Sequence, residues 1–294
     1  MSERVAIYID GGNTYRRLKI LGIPKKDARF DYSVFAEHLI GNRALISKRY
    51  YVGIVRNVDG SEKAEKMVRS QQKFLSGLEN EGFEIKKGKI MYDDGNIREK
   101  GVDVKIAVDL VIGANDNLYD TAIVISSDTD LIPAIKYVSN AKKKNVEYIG
   151  FGTNPSLGMI KEASVARVFA NTDLAQYQCK IIKFRSQLAD LVLDGTKTVT
   201  WRLFDDKDLR VGDLITLQVW ETGKDFAKAV ITEVKEKRLR ELEEIDYKGH
   251  EKFESQKDML NTYKEYYGDK VNLDTPLKMI TFNLKNKGKY TNIS

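Results

Sequence analysis

The chain has a single cysteine, Cys179, among its 294 residues, which excludes an internal disulfide and any cysteine-built zinc site. Histidine is nearly as scarce. With only His38 and His250 present, neither a histidine-rich metal centre nor a relay of several histidines can be assembled, and both residues read as surface or hydrogen-bonded side chains. Four prolines and no proline- or glycine-rich tract leave no long flexible linker. The longest apolar runs, such as TAIVI and YVGIV, are strand-length and too short to span a bilayer. A strand-like run begins at Arg4, where a signal peptide would sit, so the expected location is cytoplasmic, with no membrane partner.

What is present describes a globular protein, with a hydrophobic fraction of 42% and a formal net charge of +6 that suits a polyanionic partner without requiring one. Length favours two domains, because single cores stop growing near this size. To about residue 170, β-branched apolar runs alternate with helix-length segments. VAIYI, RYYVGIV, FEIKKGKI, TAIVISS, VEYIGFG and ARVFA read as strands; DYSVFAEHLIG, SEKAEKMVRSQQKFLSGLENEG and VDVKIAVDLVIGA read as helices. This rhythm predicts a parallel sheet flanked by helices. Beyond about residue 178 the strands KTVTWRLF, DLITLQVW, AKAVITEV and LKMITFNL are separated by turns, and SQKDMLNTYKEYYG reads as one amphipathic helix capped by Ser255 and stopped at Gly268. A small, mostly β domain is expected there.

Acidic residues stand where ligands gather in open α/β sheets, at the carboxyl ends of strands. Asp10 closes VAIYI and precedes GGN, which allows a tight turn that aims Asn13 back over the strand end. Asp128 and Asp130 follow TAIVISS, in an alternation that fits two carboxylates on one side of an extended segment. Each acid could equally be a helix or turn cap. As a group they would repel and call for a cation, and oxygen-only ligands favour Mg²⁺ or Mn²⁺. Asp103 and Asp109 share a helical segment, but six residues is about 240° beyond a full turn, so a regular helix cannot aim both into one small site. Asp103 is favoured, with an N-cap role as its alternative and Asp109 left to a supporting one. Lys100 is either a phosphate contact or a solvated surface lysine, and Tyr15, Tyr92 and Tyr119 are either base-stacking or packing residues.

The segments IDGGN, KGVDVKIAVDLV and ISSDTDLIPAI resemble the three motifs of the NYN domain, a PIN-like nuclease of the LabA type, over most of residues 4 to 170. The resemblance implies a five-stranded parallel sheet and metal-dependent cleavage of RNA. It assigns the metal-holding acids to Asp10, Asp103, Asp128 and Asp130, with Asn13 and Asp109 as further polar positions of the catalytic centre. ISSDTDL also resembles the aspartyl-phosphate motif of haloacid dehalogenase-like phosphatases, but that motif opens its domain, whereas here it follows four strands.

In DGTKTVTWRLF, Thr198, Thr200 and Arg202 share one strand face while Val199, Trp201 and Leu203 share the other, so Trp201 reads as core. Together with RVGDLITLQVW and HEKFESQKDMLNTYKEYYG, this segment resembles the ASCH domain, a PUA-like β-barrel, over roughly residues 181 to 284. Some ASCH proteins are amidohydrolases of N4-acetylated cytidine. Their lysine, threonine and glutamate fall on Lys197, Thr200 and Glu251, with Glu254 as a nearby alternative and Arg202 as a substrate or RNA contact. The expected organisation is a nuclease domain over 1–175, an ASCH domain over 180–286 and a basic tail over 287–294. The expected function is a Mg²⁺- or Mn²⁺-dependent ribonuclease whose second domain binds RNA or a modified nucleoside. The alternatives are an RNA-binding protein with an inactive nuclease fold and an N4-acetylcytidine amidohydrolase; homo-oligomerisation is left open.

Overall fold

The computed structural model describes residues 2–24, 28–57, 60–93, 96–152, 154–205 and 207–286, without the side chains of 91–93, 96–99 and 286. The expected basic tail over 287–294 and the side chain of Tyr92 lie outside the described residues. The chain divides into two compact units, one comprising Met1–Ile23 and Asp31–Tyr177, the other Pro24–Phe30 and Gln178–Ser294.

The first unit is built on β1 (Arg4–Asp10), followed by α1 (Gly11–Ile20). After a short strand β2 (Ala28–Phe30), which belongs to the second unit, come α2 (Tyr32–Ile40), β3 (Ala44–Ile54), α3 (Glu62–Asn80), β4 (Glu84–Asp93) and β5 (Asn96–Lys100). The unit continues with α4 (Val102–Asn115), β6 (Thr121–Ile125), a 3₁₀ turn at Thr129–Leu131, α5 (Ile132–Lys136), β7 (Asn145–Phe151), α6 (Leu157–Glu162), β8 (Val165–Phe169) and α7 (Asn171–Leu174). The strands order as β5-β4-β3-β1-β6-β7-β8. All neighbours are parallel except β4 and β5, which form an antiparallel edge. Six parallel strands thus replace the five that the family resemblance implied.

The apolar runs make this sheet because both of its faces are covered. β6 is buried along its whole length, as a parallel strand under helices must be, and so reads as TAIVI rather than as an alternation. On one face Ala6 and Tyr8 of β1, Ala122 and Val124 of β6, and Val146 and Tyr148 of β7 pack beneath Ile106, Leu110 and Ala114 of α4 and Ala134, Ile135 and Val138. α2 ends at Gly41, which takes φ +60, as a glycine stop predicts.

Chain order reverses beside β1. From β1 the sheet grows outward through β3 and β4, then resumes on the other flank with β6, β7 and β8. The carboxyl ends of β1 and β6 therefore lie side by side at a topological switch point, where a crevice forms in folds of this kind. GGN does not make an isolated tight turn there; it is the first turn of α1. A Cβ at Gly11 would lie 2.5 Å from the Tyr50 ring, which is itself packed edge-on against Tyr32 and Phe74 at 5.3 and 5.7 Å. With that ring unable to swing aside, Gly11→Ala should lower stability by about 1–3 kcal/mol, measured as a shift in denaturation midpoint. An unchanged midpoint would show that the ring has room to move.

The second unit contains β9 (Gln178–Phe184), α8 (Ser186–Asp194), β10 (Val199–Leu203), β11 (Leu214–Val219), β12 (Asp225–Arg238), α9 (Gln256–Tyr267) and β13 (Pro276–Asn286). Its strand order is β10-β13-β12-β11-β9-β2, antiparallel except between β9 and β11. Alternation along β13 serves two cores. Leu277 and Met279 join Trp201, Met259 and Tyr263, whereas Ile280 and Phe282 join Ala189, Val192 and Phe226. α9 is capped by the Ser255 hydroxyl, which accepts from the Asp258 N–H at 3.1 Å, and stops at Gly268. On the polar face of β10, Thr200 is buried although the strand lies at a sheet edge, while Thr198 before it is exposed.

Candidate active site and candidate nucleotide cavity

Asp10 is the last residue of β1 and the N-cap of α1, and is only 6% exposed. Its Oδ1 accepts the Asn13 N–H at 3.0 Å and its Oδ2 accepts the Ser126 hydroxyl at 2.8 Å. Ser126, just beyond β6, also accepts the Asp128 N–H at 3.1 Å, so one buried hydroxyl ties the two strand ends together. Asn13 points back as expected, its Oδ1 accepting the Ser127 N–H at 3.0 Å. Beneath these, the Tyr148 hydroxyl lies 3.1 Å from the Ser127 hydroxyl and accepts the Ser156 N–H at 3.1 Å. Burial raises the Asp10 pKa, the bonds from Asn13 and Ser126 oppose the shift, and the charge of Asp128 reinforces it.

Asp128 and Asp130 do not share one side of an extended segment. The Asp128 carboxylate accepts the Asp130 N–H at 3.0 Å and folds Thr129–Leu131 into a 3₁₀ turn, on which Asp130 is exposed. An aspartate bonding the amide two residues on is a local alternative to extended backbone, and here it prevails. Asp103 lies in the first turn of α4, half-buried, while the N-cap position belongs to Gly101 at φ +77. Asp109 is drawn instead toward β3, accepting the Tyr51 hydroxyl at 2.8 Å with Arg49 at 3.9 Å. Lys100 is exposed at the end of β5, Tyr119 is fully buried with its hydroxyl donating to the Leu110 carbonyl at 2.6 Å, and Tyr15 is exposed.

Among the described residues no three His, Cys, Asp or Glu side chains are gathered closely enough to hold a metal ion. Asp10 and Asp128 meet at the strand ends, where the charge of Asp128 acts on Asp10, while Asp103 is half-buried at the start of α4 and Asp130 is exposed. That pair still suits a hard cation. Mg²⁺ is commonly held by one or two carboxylates, with water and phosphate oxygens completing its shell, and a carboxylate that serves as a cap retains lone pairs for a cation. Ser126, Ser127 and Tyr148 escaped the sequence reading because a serine after a strand or a tyrosine within one carries no distinctive signal.

In the second unit a cavity of about 250 Å³ is lined by Thr200, Trp201, Arg202, His250, Glu251 and Tyr263, among others. Lys197 stands behind this wall, 2% exposed and ion-paired with Glu251. Burial lowers the Lys197 pKa, and Glu251 only partly restores it. Glu251 would be raised by burial but is held low by His250 and Lys197. His250 stacks flat on Trp201, with ring centres 4.0 Å apart and 17° between planes, and its Nδ1 lies 2.7 Å from the Glu251 carbonyl oxygen. Burial and the Lys197 charge lower its pKa to about 4, so the ring is neutral at pH 7. Glu254 is exposed, and Trp201 is both core and cavity wall. His38 is exposed, at the edge of Phe169 and Tyr177.

A parallel α/β sheet with paired aspartates at its switch point, followed by a β-rich unit, defines the class. The family model of the NYN domain matches residues 4–178, and the chain belongs to that family, within the PIN-like nuclease superfamily. Similar solved structures include a protein of unknown function from Vibrio parahaemolyticus, 24% identical over 57% of this chain and 93% of that one, with a TM-score of 0.45. An ASCH domain from Lactobacillus crispatus is 18% identical over 35% of this chain and 77% of its own, with a TM-score of 0.30. The ASCH protein of Zymomonas mobilis is 14% identical over 36% of this chain and 66% of its own, with a TM-score of 0.28. No curated protein matches the chain. Among the described residues no helix is long and apolar enough to cross a membrane.

Proposed function

We propose that the first unit is a Mg²⁺- or Mn²⁺-dependent ribonuclease and that the second, ASCH-like unit binds RNA or a modified nucleoside. The observation that carries this reading is the buried Asp10 carboxylate at the switch point, under the charge of Asp128 and tied through the Ser126 hydroxyl to the Asp128 backbone N–H. Asp10 and Asp128 would hold the cation, which when bound polarises a phosphodiester and lowers the pKa of an attacking water. Asp103 and Asp130 are the further acids of the centre. Asn13 holds the two strand ends in register through the Ser127 amide, and the exposed Lys100 is the proposed phosphate contact. Asp109 acts through Tyr51, as a positioning residue for α4 on β3.

Incubating the full chain with diverse RNAs and Mn²⁺, alongside Asp128→Asn, tests metal, substrate and site together. Cleavage by the wild type and its loss in the variant are expected; equal cleavage by both would remove Asp128 from the centre. An inactive, RNA-binding relative would show no metal binding on titration. A second reading rests on the buried Lys197–Glu251 pair beside Thr200, a desolvated amine with a neighbouring carboxylate that suits amide hydrolysis. Acetate release from N4-acetylcytidine would establish it.

A further inference from the structure

The cavity of the second unit changes character between floor and mouth. Its deep wall is made of buried groups: Trp201 with His250 stacked on it, Thr200 and Tyr263. Two large aromatic rings at the same cavity are instead left in water, Trp220 at 58% exposure and Tyr266 at 45%. Both carry cations. Lys183 Nζ stands 5.2 Å from the Trp220 ring centre, and the Arg185 guanidinium lies 5.8 Å from Trp220 and 5.6 Å from Tyr266. Arg185 is further held by Glu221 at 3.5 Å, while Glu221 also takes the Ser186 amide and hydroxyl at 3.1 and 2.9 Å. The lining carries Lys183, Arg185 and Arg202 against Glu251 and Glu265, and Glu251 is already paired with Lys197 behind the wall.

A free nucleoside offers one base and no phosphate. Exposed rings interleaved with cations match what a polynucleotide adds to that nucleoside: a phosphate and a second base. Every base has a π-face, so an exposed indole stacks on any of them, and phosphates follow the neighbouring cations. We propose that Lys183, Arg185, Trp220 and Tyr266 form a subsite for the nucleotide adjoining a base held in the cavity, so that the second unit takes its ligand within single-stranded RNA rather than as a free nucleoside. The inference rests on the proposed RNA- or nucleoside-binding role of this unit. One base enters between Trp201 and the α9 side of the cavity, the adjoining phosphate meets Arg185 and Lys183, and the next base stacks on Trp220.

The test uses the full chain in EDTA, a fluorescein-labelled mixed-sequence RNA octamer and unlabelled cytidine. Trp220 and Trp201 are the only tryptophans, so octamer binding should quench the emission of the exposed indole, and Trp220→Phe should remove that quench. Trp220→Ala and Arg185→Ala should each weaken octamer binding about tenfold or more, with cytidine affinity changed less than about twofold. Loss of one phosphate contact should also reduce the slope of log affinity against log salt by about 0.7 in Arg185→Ala. Equal affinity for octamer and cytidine, or octamer binding untouched by either substitution, overturns the subsite and leaves the binding role of the cavity standing. Failure of the wild type to bind either probe overturns both.

Discussion

Asp10→Asn is expected to lose Mn²⁺-supported RNA cleavage by at least about 100- to 1,000-fold, since the charge stabilisation a held cation supplies is worth several kcal/mol and each 1.36 kcal/mol is tenfold in rate. The same substitution should stabilise the metal-free fold. Burial raises the Asp10 pKa above its ordinary 3.8, so the native state binds the proton more readily than the unfolded chain does. A raised carboxylate pKa makes stability fullest below 3.8 and diminishes it as pH climbs through the folded value. At pH 7 ionised Asp10 is therefore a liability, which asparagine removes while keeping the cap that Asn13 requires. Thermal melts in EDTA should show a higher Tm for Asp10→Asn at pH 7, with the difference vanishing below pH 3.8. Added Mn²⁺ should then raise the wild-type Tm, by about 2.7 kcal/mol of ligand linkage at a hundredfold excess over Kd, and leave the variant unmoved. Reduced activity accompanied by a lower Tm in EDTA would instead mark Asp10 as a structural cap.

Glu251→Gln should destabilise the second unit by roughly 2–4 kcal/mol, somewhat below a fully enclosed pair because Glu251 keeps 28% of its side chain exposed. The cost arises from Lys197, which remains at 2% exposure with its partner's charge gone. Lys197→Met should cost less, because it removes the enclosed charge and leaves a carboxylate that water reaches from the cavity. Burial lowers the folded Lys197 pKa from 10.5, so the unfolded chain binds more protons between the two values. Stability of this unit therefore rises with pH across that window, and without Glu251 the window extends to lower pH. Urea denaturation should show the deficit of Glu251→Gln shrinking as pH approaches 10.5. If Lys197→Met proved the more damaging of the two, packing of the lysine stem would outweigh its charge.

Much of the first unit was legible because parallel strands buried on both faces need continuous β-branched apolar runs, and TAIVI and VAIYI can be little else. Helices α2, α3 and α4 were legible from their apolar spacing and, for α2, from the Gly41 stop. Helix α1 was not, since GGN is a poor helix former and begins a helix only because Asp10 caps it. Strand β2 left no trace, because three residues, Ala28 to Phe30, acquire strand geometry only by pairing with β9. In the second unit the four strand patterns fell on β10 to β13, but alternation along β10 only divides its residues between two faces, and the fold alone shows Thr200 covered.

The acids of the first unit divide in the same way. Sequence alone placed Asp10 and Asp128 at strand ends and Asp103 and Asp109 on different faces of one helix, since strand ends and helical phase are local properties. Tertiary structure decided the rest. The switch point brings the ends of β1 and β6 side by side, Ser126 ties the Asp10 carboxylate to the Asp128 backbone N–H, Tyr51 claims Asp109, and the Asp128 carboxylate accepts the Asp130 N–H in a turn that leaves Asp130 exposed. Each of these depends on which elements become neighbours and on which donor reaches a carboxylate first, and neither is written in any one segment of the chain.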